Sequence, residues 1–230
     1  MTKAPEPGKV KTRLTPPLAP EEAAEINKCF LRDIAQSISE AAQQSSGRGV
    51  GVYTPVGAEL AYEEILPRDF FLVPQRGSAF GERLICAAED LFNLGFASVC
   101  LINSDSPTVP AASFAAAAAE LAKPGHRIVL GPSDDGGYYL IGLKNLQRRV
   151  FEEIDWSTER VFEQTMRRAE ELGLPVHLLP TGFDVDDRVT LHRLWLELVQ
   201  NAPDSAGIAP NTAKYLKQLV ETKGPEIFGS

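Results

Sequence analysis

Apolar residues recur along this chain in two alternating rhythms. Across 21–44 they return every three to four positions (Ala24, Ile26, Phe30, Ile34, Ile38), the period of a helix that buries one face. Pro20 and the paired glutamates after it suit a helix start, because proline tolerates the first turn and acids favour the positive end of the helix dipole. Short strand-like runs follow at 49–54 and 70–73, then an amphipathic helix over 78–93 that Gly95 ends. Residues 97–103 (A-S-V-C-L-I-N) are continuously apolar over strand length, the signature of a strand covered on both faces. An alanine-rich helix follows at about 111–122. Strands at 127–131 and 138–143 flank a Gly/Asp turn. A helix over 159–172, a strand over 176–179 and a helix over 189–200 complete the alternation. Such β-α alternation predicts a three-layer α/β fold with a mostly parallel, Rossmann-like central sheet. No repeat or domain boundary interrupts it. Residues 1–200 read as a single domain, and 201–230 as a loop (201–210) leading into a modest C-terminal helix.

At 230 residues the chain can bury a substantial core. No apolar run approaches the roughly 18 residues of a membrane span, and no signal-peptide pattern is present. Cys29, Cys86 and Cys100 are odd in number and lie in apolar segments, so they read as reduced thiols and favour a cytoplasmic setting. His126, His177 and His192 are scattered without ligand spacing, which argues against a zinc site.

Charge changes the picture most. The chain carries a formal −8, yet its first thirteen residues hold four cations (Lys3, Lys9, Lys11, Arg13) against one anion, Glu6. They sit on K-A-P-E-P-G-K-V-K-T-R-L, where proline fixes φ and Gly8 opens positive φ. A shaped cationic loop in an acidic protein suits a di- or triphosphate; the alternative is a frayed basic terminus. The spacing matches neither a Walker loop nor G-x-G-x-x-G. Lys11 and Arg13, at alternate positions, would share one side of an extended segment. Elsewhere no basic stripe carries interleaved aromatics, so nucleic acid is not an expected partner. Only Met1 and Thr2 precede Lys3, whereas such a loop normally follows a central strand. This predicts either a strand upstream of Met1 or a lost first strand.

Four further motifs carry candidate chemistry. N-S-D-S-P places Asp105 where the most apolar strand ends; there a carboxylate can hold a hard cation, or else cap the next helix. D-V-D-D gives Asp184 and Asp186 at i and i+2, suited to metal ligation or to a solvated helix N-terminus. In G-P-S-D-D-G-G-Y-Y, Asp134 or Asp135 could orient a hydroxyl beside two glycines, although a plain hairpin explains the same letters. In Q-R-G-S-A-F-G-E-R, an amide, glycines and an arginine could read a nucleobase or phosphate, while Ser78 is also a good helix cap.

The order of these motifs resembles the nucleotide-diphospho-sugar transferase superfamily with the GT-A fold. In detail it is similar to the cofactor-guanylyltransferase-like, selenodomain-associated glycosyltransferases, some linked to arsenosugar biosynthesis. The similarity runs from Lys3 to about Leu194, and W-S-T at 156–158 belongs to it. The resemblance implies phosphate contacts from Gly8, Lys9, Lys11 and Arg13, with base recognition near Gln75 and Gly81. It implies Mg²⁺ or Mn²⁺ on Asp105 and on Asp186 or Asp184. It implies an acceptor side lined by Asp135, Gly136, Gly137 and Tyr138, where Asp135 would serve as general base or hydroxyl-orienting group. The implied activity is metal-dependent transfer of a sugar from a nucleotide sugar to a small-molecule acceptor. Two other readings remain. One is nucleotidyl transfer from a nucleoside triphosphate to a phosphorylated metabolite; the other is a non-catalytic nucleotide-binding homologue. Gly8 alone, without a G-x-G start, favours sugar transfer.

Overall fold

A computed structural model describes residues 1–200 and 207–228, so most of the predicted 201–210 loop lies outside the described residues. Among the described residues, seven strands form two sheets. In the first, β1 (Thr2–Lys3), β2 (Val50–Thr54) and β3 (Phe71–Pro74) are parallel, with Thr2 opposite Tyr53 and Val52 opposite Val73. The second comprises β4 (Val99–Ile102), β5 (Ile128–Pro132), β6 (Tyr138–Leu143) and β7 (Val176–Leu178), in the order β4-β6-β5-β7. Thr2 and Lys3 form a two-residue first strand, and the Met1 amine donates to the Ile102 carbonyl at 2.8 Å, reaching the end of β4.

The predicted parallel sheet has one exception. β5 and β7 are parallel, but β6 runs antiparallel to both β4 and β5. The cause is local: β5 and β6 are joined by the short turn at 133–137. A tight turn can only return the chain antiparallel, because a parallel partner needs a crossover of a dozen or more residues.

Helices cover both sides. α2 (Phe80–Asn93) and α4 (Val161–Glu171) bury Leu84, Leu91 and Ala169 with Leu101, Ile128, Leu130 and Ile141. On β5, Val129 joins a different cluster from Ile128 and Leu130, as the two-residue pleat requires. Val129 packs with Phe114, Ala117 and Leu121 of α3 (Ala111–Ala122) and with Ala41 of α1 (Pro20–Ser45). A third cluster joins α1, through Ile26 and Phe30, to α5 (Arg188–Trp195) and α6 (Pro210–Lys223). The predicted helix at 189–200 thus divides into α5 and a π-helical turn, Leu196–Gln200. Buried Asp33 on α1 accepts hydrogen bonds from Asn211 N and Nδ2 and from Thr212 N and Oγ1. It satisfies the first turn of α6 and holds that helix against α1.

Candidate functional site

The cationic segment folds as two successive turns after β1. Lys9 N donates to Glu6 O at 3.0 Å across Gly8, whose φ of 71° is left-handed and suits glycine. Lys3 Nζ closes this turn on the Lys9 carbonyl at 2.9 Å. Lys11 is also left-handed, at φ 47°, and leads into a 3₁₀ turn over Thr12–Leu14 whose Leu14 is fully buried. A left-handed lysine costs about 1–2 kcal/mol, and the result is a division of labour. Instead of lying side by side in extended chain, Lys11 and Arg13 part: Lys11 turns inward with 5 % of its side chain exposed, while Arg13 stays 74 % exposed.

Lys11 Nζ ion-pairs with Asp105 Oδ1 and with Asp186 Oδ1 (3.1 Å), and donates to the Val185 carbonyl at 2.8 Å. An ammonium has three N–H groups, and these three acceptors use them all. Burial opposes the charge, but Asp105 and Asp186 hold the Lys11 ammonium above its ordinary pKa. Arg13 approaches the other oxygen of Asp186 at 3.3 Å.

These groups line a cleft of about 270 Å³, together with Lys3, Lys9, Val10, Thr12, Ser104 and Asn27 of α1. Lys9 pairs with no acid among the described residues. Asn27 is 4 % exposed and makes no side-chain hydrogen bond among the described residues. Its amide atoms are not sealed from solvent, so on the cleft wall they are open to a ligand. Sequence reasoning missed Asn27. The signal was an asparagine one residue after Ile26 and three before Phe30, on the apolar face of α1.

The three acids of D-V-D-D separate. Asp186 faces Lys11, and Asp187 caps α5 by accepting from Thr190 N at 2.9 Å. Asp184 turns inward, accepting from Asn103 Nδ2 at 2.9 Å and from Ser106 Oγ. Burial pushes Asp184 up to about 6; Asp105 and Asp135 add to this, while the two hydrogen bonds pull it down. Asp105 is no helix cap, since Pro110 holds the N-cap position of α3.

Does this site fit Mg²⁺ or Mn²⁺? Asp105 and Asp186 do converge on one point, but that point holds the Lys11 ammonium, and the third acid is spent on Asn103 and Ser106. Among the described residues no three His, Cys, Asp or Glu side chains are grouped to hold a metal. As folded, the pair does not fit a divalent ion.

The remaining predicted residues lie apart from the cleft. Asp135 Oδ1 accepts from Gly137 N at 2.9 Å, closing its own turn, and Asp134 pairs with Arg193. Gly136 has φ 87°, and a Cβ there would stand 2.2 Å from the Glu159 carbonyl oxygen. The close approach that this glycine permits is by the protein's own W-S-T-E segment. Gly81 is similar: a Cβ would lie 2.6 Å from Trp156 Nε1. The Tyr138 ring packs in the core with Ile128 and Ala169 rather than facing an acceptor, and burial pushes its hydroxyl pKa well up. Gln75, at the end of β3, spends its N–H on the Tyr53 carbonyl at 2.7 Å. A second cavity of about 210 Å³ is built from continuations of the cleft-forming segments, 108–110 and 180–183, with Tyr139, Glu197 and Arg193. The Arg193 guanidinium lies 3.8 Å from the centre of the Phe183 ring.

No curated protein matches the chain. Among solved structures, it is similar to a protein from Desulfovibrio desulfuricans G20, provisionally named a nucleotide-diphospho-sugar transferase. The TM-score is 0.83 at 28% sequence identity, over 96% of this chain and 93% of that one. The α/β fold is thus shared with that protein. Residues 37–158, just over half of the chain, match the family described as "Uncharacterized protein conserved in bacteria (DUF2064)", and this chain belongs to that family.

Proposed function

We propose that this chain transfers a sugar from a nucleoside-diphosphate sugar to a small-molecule acceptor, with the diphosphate seated in the cationic cleft. One observation carries the reading. Among the described residues, Lys9, much of Arg13 and the Asn27 amide have no protein partners to use up their donors in the cleft. Charge-assisted hydrogen bonds from such groups are what a diphosphate accepts. The similarity to a protein named as a nucleotide-diphospho-sugar transferase supports the donor class. Sugar transfer is favoured over nucleotidyl transfer because the loop has only Gly8 where a glycine-rich start would wrap a triphosphate.

The acceptor would enter through the second cavity, whose lining segments 108–110 and 180–183 lie within a few residues of Asp105 and Asp186 in the chain. In the transfer, the acceptor hydroxyl attacks the anomeric carbon and the nucleoside diphosphate leaves. Arg13 and Lys9 stabilise the charge that develops on the leaving phosphate. Asp135 remains the proposed hydroxyl-orienting group, through its second carboxylate oxygen, since Oδ1 is held by Gly137 N.

A thermal-shift panel of nucleosides, nucleoside diphosphates and nucleotide sugars tests the reading. A ligand at about 100 times its Kd adds about 2.7 kcal/mol, which raises the melting temperature of a domain this size by roughly 5–10 °C. Diphosphates of one base should shift it and the bare nucleoside should not. Mass spectrometry of the products then separates the chemistries: a released nucleoside diphosphate means sugar transfer, and released pyrophosphate means nucleotidyl transfer. No shift with any diphosphate would overturn the reading.

A further inference from the structure

We infer that Lys11 is the resident counter-cation of Asp105 and Asp186, standing where a divalent ion would bridge them, so that this cleft takes up its anion without a divalent metal. Asp105 Oδ1 and Asp186 Oδ1 reach a common point from the end of β4 and from the segment before α5, and the Lys11 ammonium fills that point. Its third N–H goes to the Val185 carbonyl at 2.8 Å, and the charge also lies 5.5 Å from the centre of the Phe30 ring. The ammonium is thus held on every donor and shielded from water.

The backbone is committed to the same end. Lys11 accepts a left-handed φ of 47° to aim inward, and buried Leu14 anchors the turn behind it. Magnesium is usually held by one or two carboxylates, with waters and substrate phosphates completing its shell. Here the point that the two carboxylates share is already filled by a cation. To enter, magnesium must expel a buried lysine from three hydrogen bonds.

What remains for a ligand is the outer rim: Lys9, Arg13 and the unpartnered Asn27 amide. These are enough to recognise a phosphate directly. Lys11 is then a positioning residue. It neutralises the two acids that would otherwise repel the anion, and its own donors do not touch it. The inference rests on the nucleotide-binding reading for the identity of the anion alone; the metal half stands without any nucleotide.

The test is a manganese titration of the full chain, following free Mn²⁺ by electron paramagnetic resonance with no nucleotide present. The parent should show no saturable site up to about millimolar Mn²⁺, the weak end of the range for protein cation sites. Lys11→Met should gain one saturable site, lost again in Lys11→Met/Asp105→Asn. Circular dichroism melts confirm folding, and Lys11→Gln replaces Lys11→Met if the latter fails to fold. In parallel, calorimetry with the nucleoside diphosphate panel should give the same affinity in EDTA as in Mn²⁺, within about twofold. Stoichiometric Mn²⁺ binding by the parent that Asp105→Asn abolishes would overturn the inference. So would a folded Lys11→Met and Lys11→Gln pair that still binds no Mn²⁺, because Lys11 would then not be what keeps the ion out. Failure of every diphosphate to bind would sink the nucleotide reading and leave the manganese result to be judged alone.

Discussion

The Lys3–Arg13 loop and the Ser133–Tyr138 turn look alike as sequence and behave oppositely as structure. Both combine glycine with clustered charge, and both suggest a ligand. In the turn, most of the groups named for the ligand are already engaged by the protein, although Asp135 keeps its second carboxylate oxygen and the buried Ser133 Oγ and Tyr138 hydroxyl have no hydrogen-bond partner. Asp134 is on Arg193, Asp135 is on Gly137 N, Gly136 is pressed against Glu159 and the Tyr138 ring is in the core. In the loop, Lys11 is spent on two acids and a carbonyl and Lys3 on the Lys9 carbonyl; Lys9, the mostly exposed Arg13 and the nearby Asn27 keep donors in hand beside a cleft. What separates the two is access: the loop's free donors converge on a cleft, whereas the turn's unpartnered hydroxyls are sealed inside the protein.

The largest expected effect lies on the turn side. Gly136→Ala should destabilise the fold by about 2–5 kcal/mol, combining backbone strain with overpacking. The melting temperature would fall by roughly 5–15 °C. If the variant melts like the parent, the glycine is not held by Glu159 and the contrast between the regions weakens.

Next comes the loop, where the effect should move from stability to binding. Arg13→Ala removes a mostly exposed side chain, so its melt should match the parent within about 0.5 kcal/mol. Losing a charged hydrogen-bond donor should weaken nucleoside-diphosphate binding by about 1.5–3 kcal/mol, tenfold to a hundredfold. An unstable Arg13→Ala with parental affinity would reverse the assignment.

Asn27→Ala sharpens the comparison further, because its two effects should have opposite signs. Binding should weaken by about 0.5–1.5 kcal/mol. Stability of the ligand-free protein should hold or rise, since alanine is the better helix former and leaves no amide unpaired. A stability loss above about 2 kcal/mol would show that Asn27 has a structural partner. The smallest effect belongs to Asp135→Asn. The asparagine oxygen can still accept from Gly137 N, so both the melt and diphosphate affinity should stay within about 0.5 kcal/mol of the parent. Turnover in a working transfer assay is where a role for Asp135 toward the acceptor would appear, as a loss of about 10²-fold or more.

Much of this architecture was legible in the sequence where local signals agreed. The predicted helix at 111–122 coincides with α3, bounded by Pro110 and by Lys123-Pro124, and the predicted strand at 138–143 coincides with β6. The position of Asp105 just beyond β4 followed from the apolar run ending there. What failed to show was nonlocal or conformationally unusual. The insertion of β6 between β4 and β5 is a pairing across some forty residues. The left-handed Lys11 has no glycine to announce it, so alternate spacing placed Lys11 and Arg13 on one side when the fold parts them. The glycines at 81 and 136 do permit a close approach, but only the tertiary structure says that Trp156 and Glu159 are what approaches.

The most direct test of the central claim, that the Lys3–Arg13 loop and Asn27 form an anion-binding cleft, is titration calorimetry of the nucleoside diphosphates in EDTA. It would be run on the parent, Arg13→Ala and Asn27→Ala. The account predicts saturable one-to-one binding of at least one diphosphate to the parent. It predicts a tenfold to hundredfold loss in Arg13→Ala and a smaller one in Asn27→Ala. Parental affinity in both variants, or no diphosphate binding by the parent, would contradict it.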